Sequence, residues 1–433
     1  MRSLWILLLA MAVASTSCGA VNPETLAFVE DERPGQTEIR LAVWPTPGLT
    51  DAIVTWEREH PTATVILDVS PFDDHHQDIL NPLVSAITPD VVAFDAQYSA
   101  NFRANPDLLL DLSSYDTSQL EARSVGWAWQ QGVTPDGSLL GVPVDVGGVA
   151  LAYRADLLAQ NMTRQVEAAE SWCELIAVGD MYSDLTRRPF LPESGELFEV
   201  ILLQGEQQFH DSTGQLILED SQGLADAWDL TMHALGERPV FGDPCPENTG
   251  VQRTTANMTV GSDAWRATLD GRGVGAVIAP AALLDEIQSA APATAGAWRI
   301  TDVPGVGGAS GSGMHLGIHA STPHAELAWD LIAHLSEPSN QIRTFRQSGR
   351  FPAAESTYLD PQVRDASEPF FGDSPLGTVY VESVQESLPG PDGPEFRLVL
   401  REFRAAISRV ESGTYGPAEA WDDAQWRIEQ LLN

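Results

Sequence analysis

The stretch Gly141-Val142-Pro143-Val144-Asp145-Val146-Gly147-Gly148-Val149-Ala150-Leu151-Ala152-Tyr153-Arg154-Ala155-Asp156-Leu157-Leu158 decides how the rest of the chain is read. Two short extended runs flank Asp145-Val146-Gly147-Gly148. The first ends at Val144. The second, Val149 to Tyr153, is apolar enough for a buried strand. Gly147 and Gly148 can reach positive φ without steric cost, as a hinge requires. A strand that leaves one sheet, passes a flexible point and enters another is what a two-lobed protein needs at its crossover. On this stretch alone, a β-bulge or turn inside one sheet reads equally well.

Length and composition favour the crossover. A chain of 433 residues is too long for one ordinary core, so two or three domains are expected. A hydrophobic content of 43% with twelve Trp excludes a disordered chain. The chain carries 61 acidic and 24 basic residues, a net charge of −37, and every basic residue is Arg. Nucleic acid is excluded as a partner, because most of the surface repels phosphate. Such a surface suits salty surroundings, where screening weakens self-repulsion. A neutral or cationic ligand fits this balance better than an anion. Without Lys there is no P-loop, no Schiff-base lysine and no Ser-x-x-Lys acylation site.

The N-terminus reads as an address. Met1-Arg2-Ser3 is a short positive region, and Leu4 to Ala14 is an apolar run too short to span a bilayer. Residues 1–18 are expected to form an export signal. Cys18 resembles the acylated cysteine of bacterial lipoproteins, although Ser15 stands where that pattern usually has Leu. Residues 19–37 form a polar tether. Cys173 and Cys245 are left either to pair as a disulfide in an oxidising compartment or to stay as two separate thiols.

From Glu38 the pattern is α/β. Ile39 to Trp44 is a strand, Thr50 a candidate cap for a helix through Glu59, and Thr64 to Val69 the next strand. That βαβ unit predicts a parallel pair. A helix from Gln77 to Ala86 precedes the strand within Pro89-Asp90-Val91-Val92-Ala93-Phe94-Asp95. Trp44, Asp95 and Tyr98 then fall at the carboxyl ends of strands, where ligands sit in open parallel sheets. Ser171 and Glu174 form a capping box, and Trp228 lies on the apolar face of the helix Leu224 to Leu235. Gly307 to Gly313 expose backbone amides before the strand His315 to His319.

Four stretches together resemble the family 1 extracellular solute-binding proteins of ABC importers, the group that includes maltose-binding protein. They are Trp56-Glu57-Arg58-Glu59-His60-Pro61, the Pro89 to Asp95 strand, and the crossover from Gly141 to Leu158. The fourth runs from Trp298 through the glycine loop to the helix Ala325 to Leu335. The resemblance spans about residues 38 to 433. It implies a periplasmic-binding-protein-like fold with two α/β lobes, 38–145 plus 312–349 and 146–311 plus 350–433. It also implies an interlobe cleft that closes on a sugar, a monomer delivering to the transmembrane subunits of an ABC permease, and membrane attachment only through lipid on Cys18. The compartment is the outer face of the cytoplasmic membrane, either periplasm or cell surface. By the same resemblance the ligand-binding set is Trp44, Asp95, Tyr98, Asp145, Trp265, Gly311, Ser312, Gly313 and Arg350. Such a set offers the aromatic platforms and polar edges a sugar needs. Trp44→Ala is expected to weaken binding at least tenfold and leave the fold intact.

Other chemistry was weighed against this. Asp73-Asp74-His75-His76 and His315 with His319 contain metal-ligand residue types. The first reads as a solvated helix cap and the second as one strand face, so no metal and no cofactor is expected. A Gly-x-Ser-x-Gly elbow between strand and helix is missing. Acids are too abundant here for a glycosidase-type pair to carry weight. A non-sugar ligand in the same fold, such as a polyol phosphate, peptide or polyamine, is the alternative, and a secreted carbohydrate-active enzyme is a more distant one.

Overall fold

The computed structural model describes residues 36–45, 48–81, 88–205, 207–211, 214–247, 253–305, 312–390 and 393–433. Cys18 and Gly311 therefore lie outside the described residues, as does the helix end expected at Ala86.

Among the described residues ten strands organise the fold: β1 Thr37–Val43, β2 Ala63–Val69, β3 Val91–Asp95, β4 Val142–Pro143, β5 Asp145–Val146, β6 Val149–Arg154, β7 Ala276–Pro280, β8 Trp298–Asp302, β9 Met314–Ile318 and β10 Phe351–Pro352. The first sheet has the order β2-β1-β3-β9-β4. β1 is parallel to β2 and to β3, so the expected βαβ unit is present, with Leu41 opposite Leu67 and Val91. β9 enters antiparallel between β3 and β4, bringing residues some 220 positions apart in the chain into one sheet (Phe94 opposite His315). The second sheet, β7-β6-β8, is antiparallel throughout and centres on Val149–Arg154, which is buried along its whole length.

Between the sheets lies the crossover that the glycine stretch announces. β5 leaves the end of β4 and pairs with β10, Val146 opposite Phe351 and Asp145 opposite Pro352. Alongside, Val144 donates its amide to the Met314 carbonyl at 2.8 Å and Gly147 to the Ser312 carbonyl at 3.0 Å. Three chain segments thus cross side by side. Neither Gly147 nor Gly148 adopts positive φ. Gly148 is required for a different reason, since a Cβ there would meet the Tyr380 carbonyl oxygen at 3.1 Å. The positive-φ glycine of the crossover is Gly313 (φ +146°), where a Cβ would lie 2.8 Å from the Asp145 carbonyl oxygen.

Local expectations are met in part. The Ser171–Glu174 capping box opens the helix Trp172–Thr186, and Trp228 is fully buried. The first helix begins at Leu49 after a left-handed Gly48, so Thr50 lies inside it rather than capping it. Cys173 and Cys245 form a disulfide with Cα atoms 5.5 Å apart. Among the described residues no helix is long and apolar enough to cross a membrane.

Candidate functional site

Trp44 follows the last residue of β1, and Asp95 is the last residue of β3. Asp95 also caps the short 3-10 turn Ala96–Tyr98: its Oδ1 accepts the Gln97 amide at 2.9 Å. The other carboxylate oxygen faces the Gly313 amide at 3.4 Å. Burial, only partly offset by these amides, pushes the Asp95 carboxyl up to about 6. One turn on, Tyr98 lies flat on His76, ring centroids 3.9 Å apart and planes within 9°. His76 in turn leans on Trp44 at 5.1 Å, and Phe72 meets the Trp44 edge at 5.3 Å.

The histidines were read as a solvated cap, and the structure overturns that. Their helix is Phe72–Leu80, starting five residues earlier than expected, and both His75 and His76 are buried. His76 Nδ1 donates to the Phe72 carbonyl at 2.7 Å, while its Nε2 accepts the Asp95 amide at 2.9 Å. Those two bonds together require the neutral ring protonated on Nδ1. Burial lowers its pKa to about 3, in the same sense. His75 donates Nε2–H to the Ala93 carbonyl at 2.6 Å. The two rings therefore lock the helix onto the end of β3. Among the described residues no group of His, Cys, Asp and Glu is arranged to hold a metal ion.

Asp145 closes the other side. It is buried and forms an ion pair with Arg350 at 3.1 Å, and its Oδ1 accepts the Met314 amide at 2.9 Å. The Arg350 guanidinium sits 5.9 Å over the Trp44 ring. A continuous chain of contacts thus runs from Tyr98 through His76, Trp44, Arg350 and Asp145 to Gly313 and Asp95. Ser312 is beside it, its carbonyl held by Gly147. Trp265 is elsewhere. It is fully buried in the core with Leu269, Trp298 and Phe371, so no ring face is offered to this cluster. Trp44 itself is only 5% exposed and belongs to the core of the first sheet. The expectation that Trp44→Ala would leave the fold untouched does not survive that burial.

Residues the sequence reading missed come from two distant helices. Ser194–Gln204 carries Glu196 and Glu199 behind Glu193, and Phe396–Glu411 carries Arg397 and Arg404. Arg404 pairs with Glu193 and, at 2.6 Å, with Glu199; Glu196 is 3.8 Å away. Burial and the neighbouring Glu199 push the Glu196 carboxyl up to about 8. Arg397 reaches across to the helix Phe72–Leu80 and the turn after β3, pairing with Asp73 at 3.0 Å and donating to Gln97 Oε1 at 2.5 Å. Its guanidinium lies 5.4 Å from the Tyr98 ring centroid and 5.7 Å from that of Phe72. The signal that could have found it is the helix-face arginine in Phe396-Arg397, but nothing local says what it meets.

Comparison with known proteins gives the same architecture. The family described as bacterial extracellular solute-binding protein matches residues 52–371 of the 433. An extracellular solute-binding protein of family 1 superposes with a TM-score of 0.82 at 22% identity, covering 92% of this chain and all of that one. The GacH receptor of Streptomyces glaucescens GLA.O, solved unliganded and with acarbose, gives 0.70 at 18% identity over 92% and 98%. The galacto-N-biose/lacto-N-biose I-binding protein of a Bifidobacterium longum ABC transporter, solved with lacto-N-biose, gives 0.72 at 15% over 92% and 97%. At these identities the likeness is one of fold.

Proposed function

The chain belongs to the bacterial extracellular solute-binding proteins, and from that premise we propose that it captures a mono- or oligosaccharide between two lobes and hands it to the transmembrane subunits of an ABC importer. The lobes are 38–145 plus 312–349 and 146–311 plus 350–433, hinged where Gly147 and Gly148 lie. The observation that carries the reading is the cluster at the strand crossover: a ring wall of Trp44, His76 and Tyr98 with Asp95, Asp145, Ser312, Gly313 and Arg350 against it. Rings receive the apolar faces of a sugar, and the carboxylates, guanidinium and backbone groups receive its hydroxyls. The protein works as an exported monomer, held at the membrane by lipid on Cys18, and binds without turning its ligand over.

The test is a thermal-shift screen of the protein against mono-, di- and trisaccharides, polyols, amino acids and polyamines at high and low salt. A ligand that binds only the folded state raises the midpoint by mass action. A clear rise with one sugar class is expected. Rises only with amines or amino acids would remove the carbohydrate assignment, and release of reducing ends from a glycoside panel would make the protein an enzyme.

A further inference from the structure

A second cavity lies open to solvent on the helix that leads into β10. The helix Pro338–Ser348 and the short helix Pro361–Arg364 border a cavity of about 510 Å³, open to solvent and lined by Ser339, Ile342, Arg343, Arg346, Gln347 and Gln362, with Asp360 at its edge. That volume is in the range of small-molecule pockets.

Two arginines on its wall hold no carboxylate. Elsewhere Arg350 holds Asp145, Arg397 holds Asp73, and Arg404 holds Glu193 and Glu199. Arg343 and Arg346 have only neutral partners among the described residues. Arg343 donates to Thr55 Oγ1 at 3.3 Å and Asn340 Oδ1 at 3.1 Å, and Arg346 donates to Gln362 Oε1 at 3.1 Å. Each guanidinium carries five N–H donors, so most of this donor capacity is unspent. The two also stand three residues apart on one helix face, where like charges repel. The C-terminal end of the helix dipole accommodates a cation at Arg346, but does nothing for the pair. Among the described residues no carboxylate comes within ion-pair distance of either guanidinium, although Asp360 lines the same cavity.

We propose that this cavity is a binding site for a phosphate-bearing small molecule, its oxyanion held by Arg343 and Arg346 and its organic body against Ile342. The planar forks match a tetrahedral oxyanion in pairs of parallel bonds. Ser339 and Gln347 stand on the same helix to add donors, Gln347 being engaged at present with Asp51. Two carboxylates oppose the anion: Asp360, which lines the cavity, and Asp51, bonded to Gln347. Asp360 accepts the Gln362 amide at 2.8 Å as the cap of the short helix, and its carboxylate sits on the rim.

Calorimetric titration of the protein with inorganic phosphate, sulfate and glycerol 3-phosphate tests this. Saturable one-to-one binding of phosphate is expected, weakening as salt rises because the contact is ionic. R343Q/R346Q should bind at least tenfold more weakly. Asp360→Asn, which keeps the cap, should bind severalfold more tightly. Thermal midpoints in anion-free buffer establish that each variant is folded, and the single variant R346Q replaces the double one if that does not fold. Tighter binding of glycerol 3-phosphate than of phosphate identifies an ester as the ligand, and equal binding identifies the free anion. Absence of saturable binding by all three anions, or equal binding by wild type and R346Q, would overturn the site.

Discussion

The two sides of the crossover are made of opposite materials. On the side of the first sheet, rings do the packing: Trp44, Phe72, His76 and Tyr98 interlock, and the buried histidine is neutral and held by a carbonyl on one nitrogen and an amide on the other. On the other side, glutamates at 193, 196 and 199 share one arginine, and a second arginine reaches over the gap. Rings fixed by their neighbours hold their shape with His76 neutral down to about pH 3, and the carboxyl that titrates on this side is Asp95, at about 6. Partly covered carboxylates outnumbering their cation respond to pH, because each added charge is costly away from water. Shape therefore belongs to the rings of the first side, and crowded charge to the second.

The largest expected effect tests the rigid side. Trp44→Ala should destabilise the protein by about 3–5 kcal/mol, the usual loss for a large aromatic removed from a core, and weaken sugar binding at least tenfold. Urea midpoints and titration calorimetry read the two separately. A stability loss below about 1 kcal/mol would mean that the rings are not the packed half of the junction.

A smaller effect, with a definite sign, tests the charged side. Burial and Glu199 raise the Glu196 carboxyl to about 8, while an unfolded chain holds it near 4.5. Between those values the unfolded state gives up its proton first, so the group costs nothing below about 4.5 and its full cost is present above 8. Glu196→Gln should therefore stabilise the protein at pH 9, where the wild-type carboxylate is charged against burial and Glu199. At pH 5.5 the gain should be clearly smaller. Arg404→Met, which strips the three glutamates of their cation, should act in the opposite direction at pH 9. Equal gains from Glu196→Gln at the two pH values would break the contrast between the sides.

The same contrast explains what the sequence made legible. Trp44 and Asp95 were legible as strand ends, which are local events, whereas Asp145 and Arg350 entered only through the resemblance at the crossovers. Their meeting needed only the order β1, β3, β5 and β10 around one junction. His75 and His76 misled because Asp73-Asp74-His75-His76 is polar as a string. Once Phe72 starts the helix, though, the histidines turn inward against Ala93 and Asp95. Trp265 misled in reverse: a tryptophan on an amphipathic helix reads alike as platform or core, and here it is core. Arg397 and Arg404 could not be read at all, since their partners lie some 200 to 320 residues away and no periodicity encodes that.

Arg397 is where the two sides touch, and it makes the smallest prediction. Its ion pair with Asp73 is at the rim, the side chains 34% and 63% exposed. Such a pair contributes about 0–1 kcal/mol, and the guanidinium over Tyr98 and Phe72 adds a similar amount. Arg397→Gln should thus lower stability by about 1 kcal/mol or less, near the limit of a denaturation curve. A hinge amplifies what unfolding hides: if the contact exists only when the lobes are together, 1 kcal/mol changes the ratio of closed to open molecules about fivefold. X-ray scattering of the ligand-free protein should then show a larger radius of gyration for Arg397→Gln. Arg397→Lys, with the charge but not the fork, should fall between the two. Identical scattering from all three would mean that the ring wall and the Asp145–Arg350 pair hold the lobes together without help from the rim, leaving the rim charge with no part in closure.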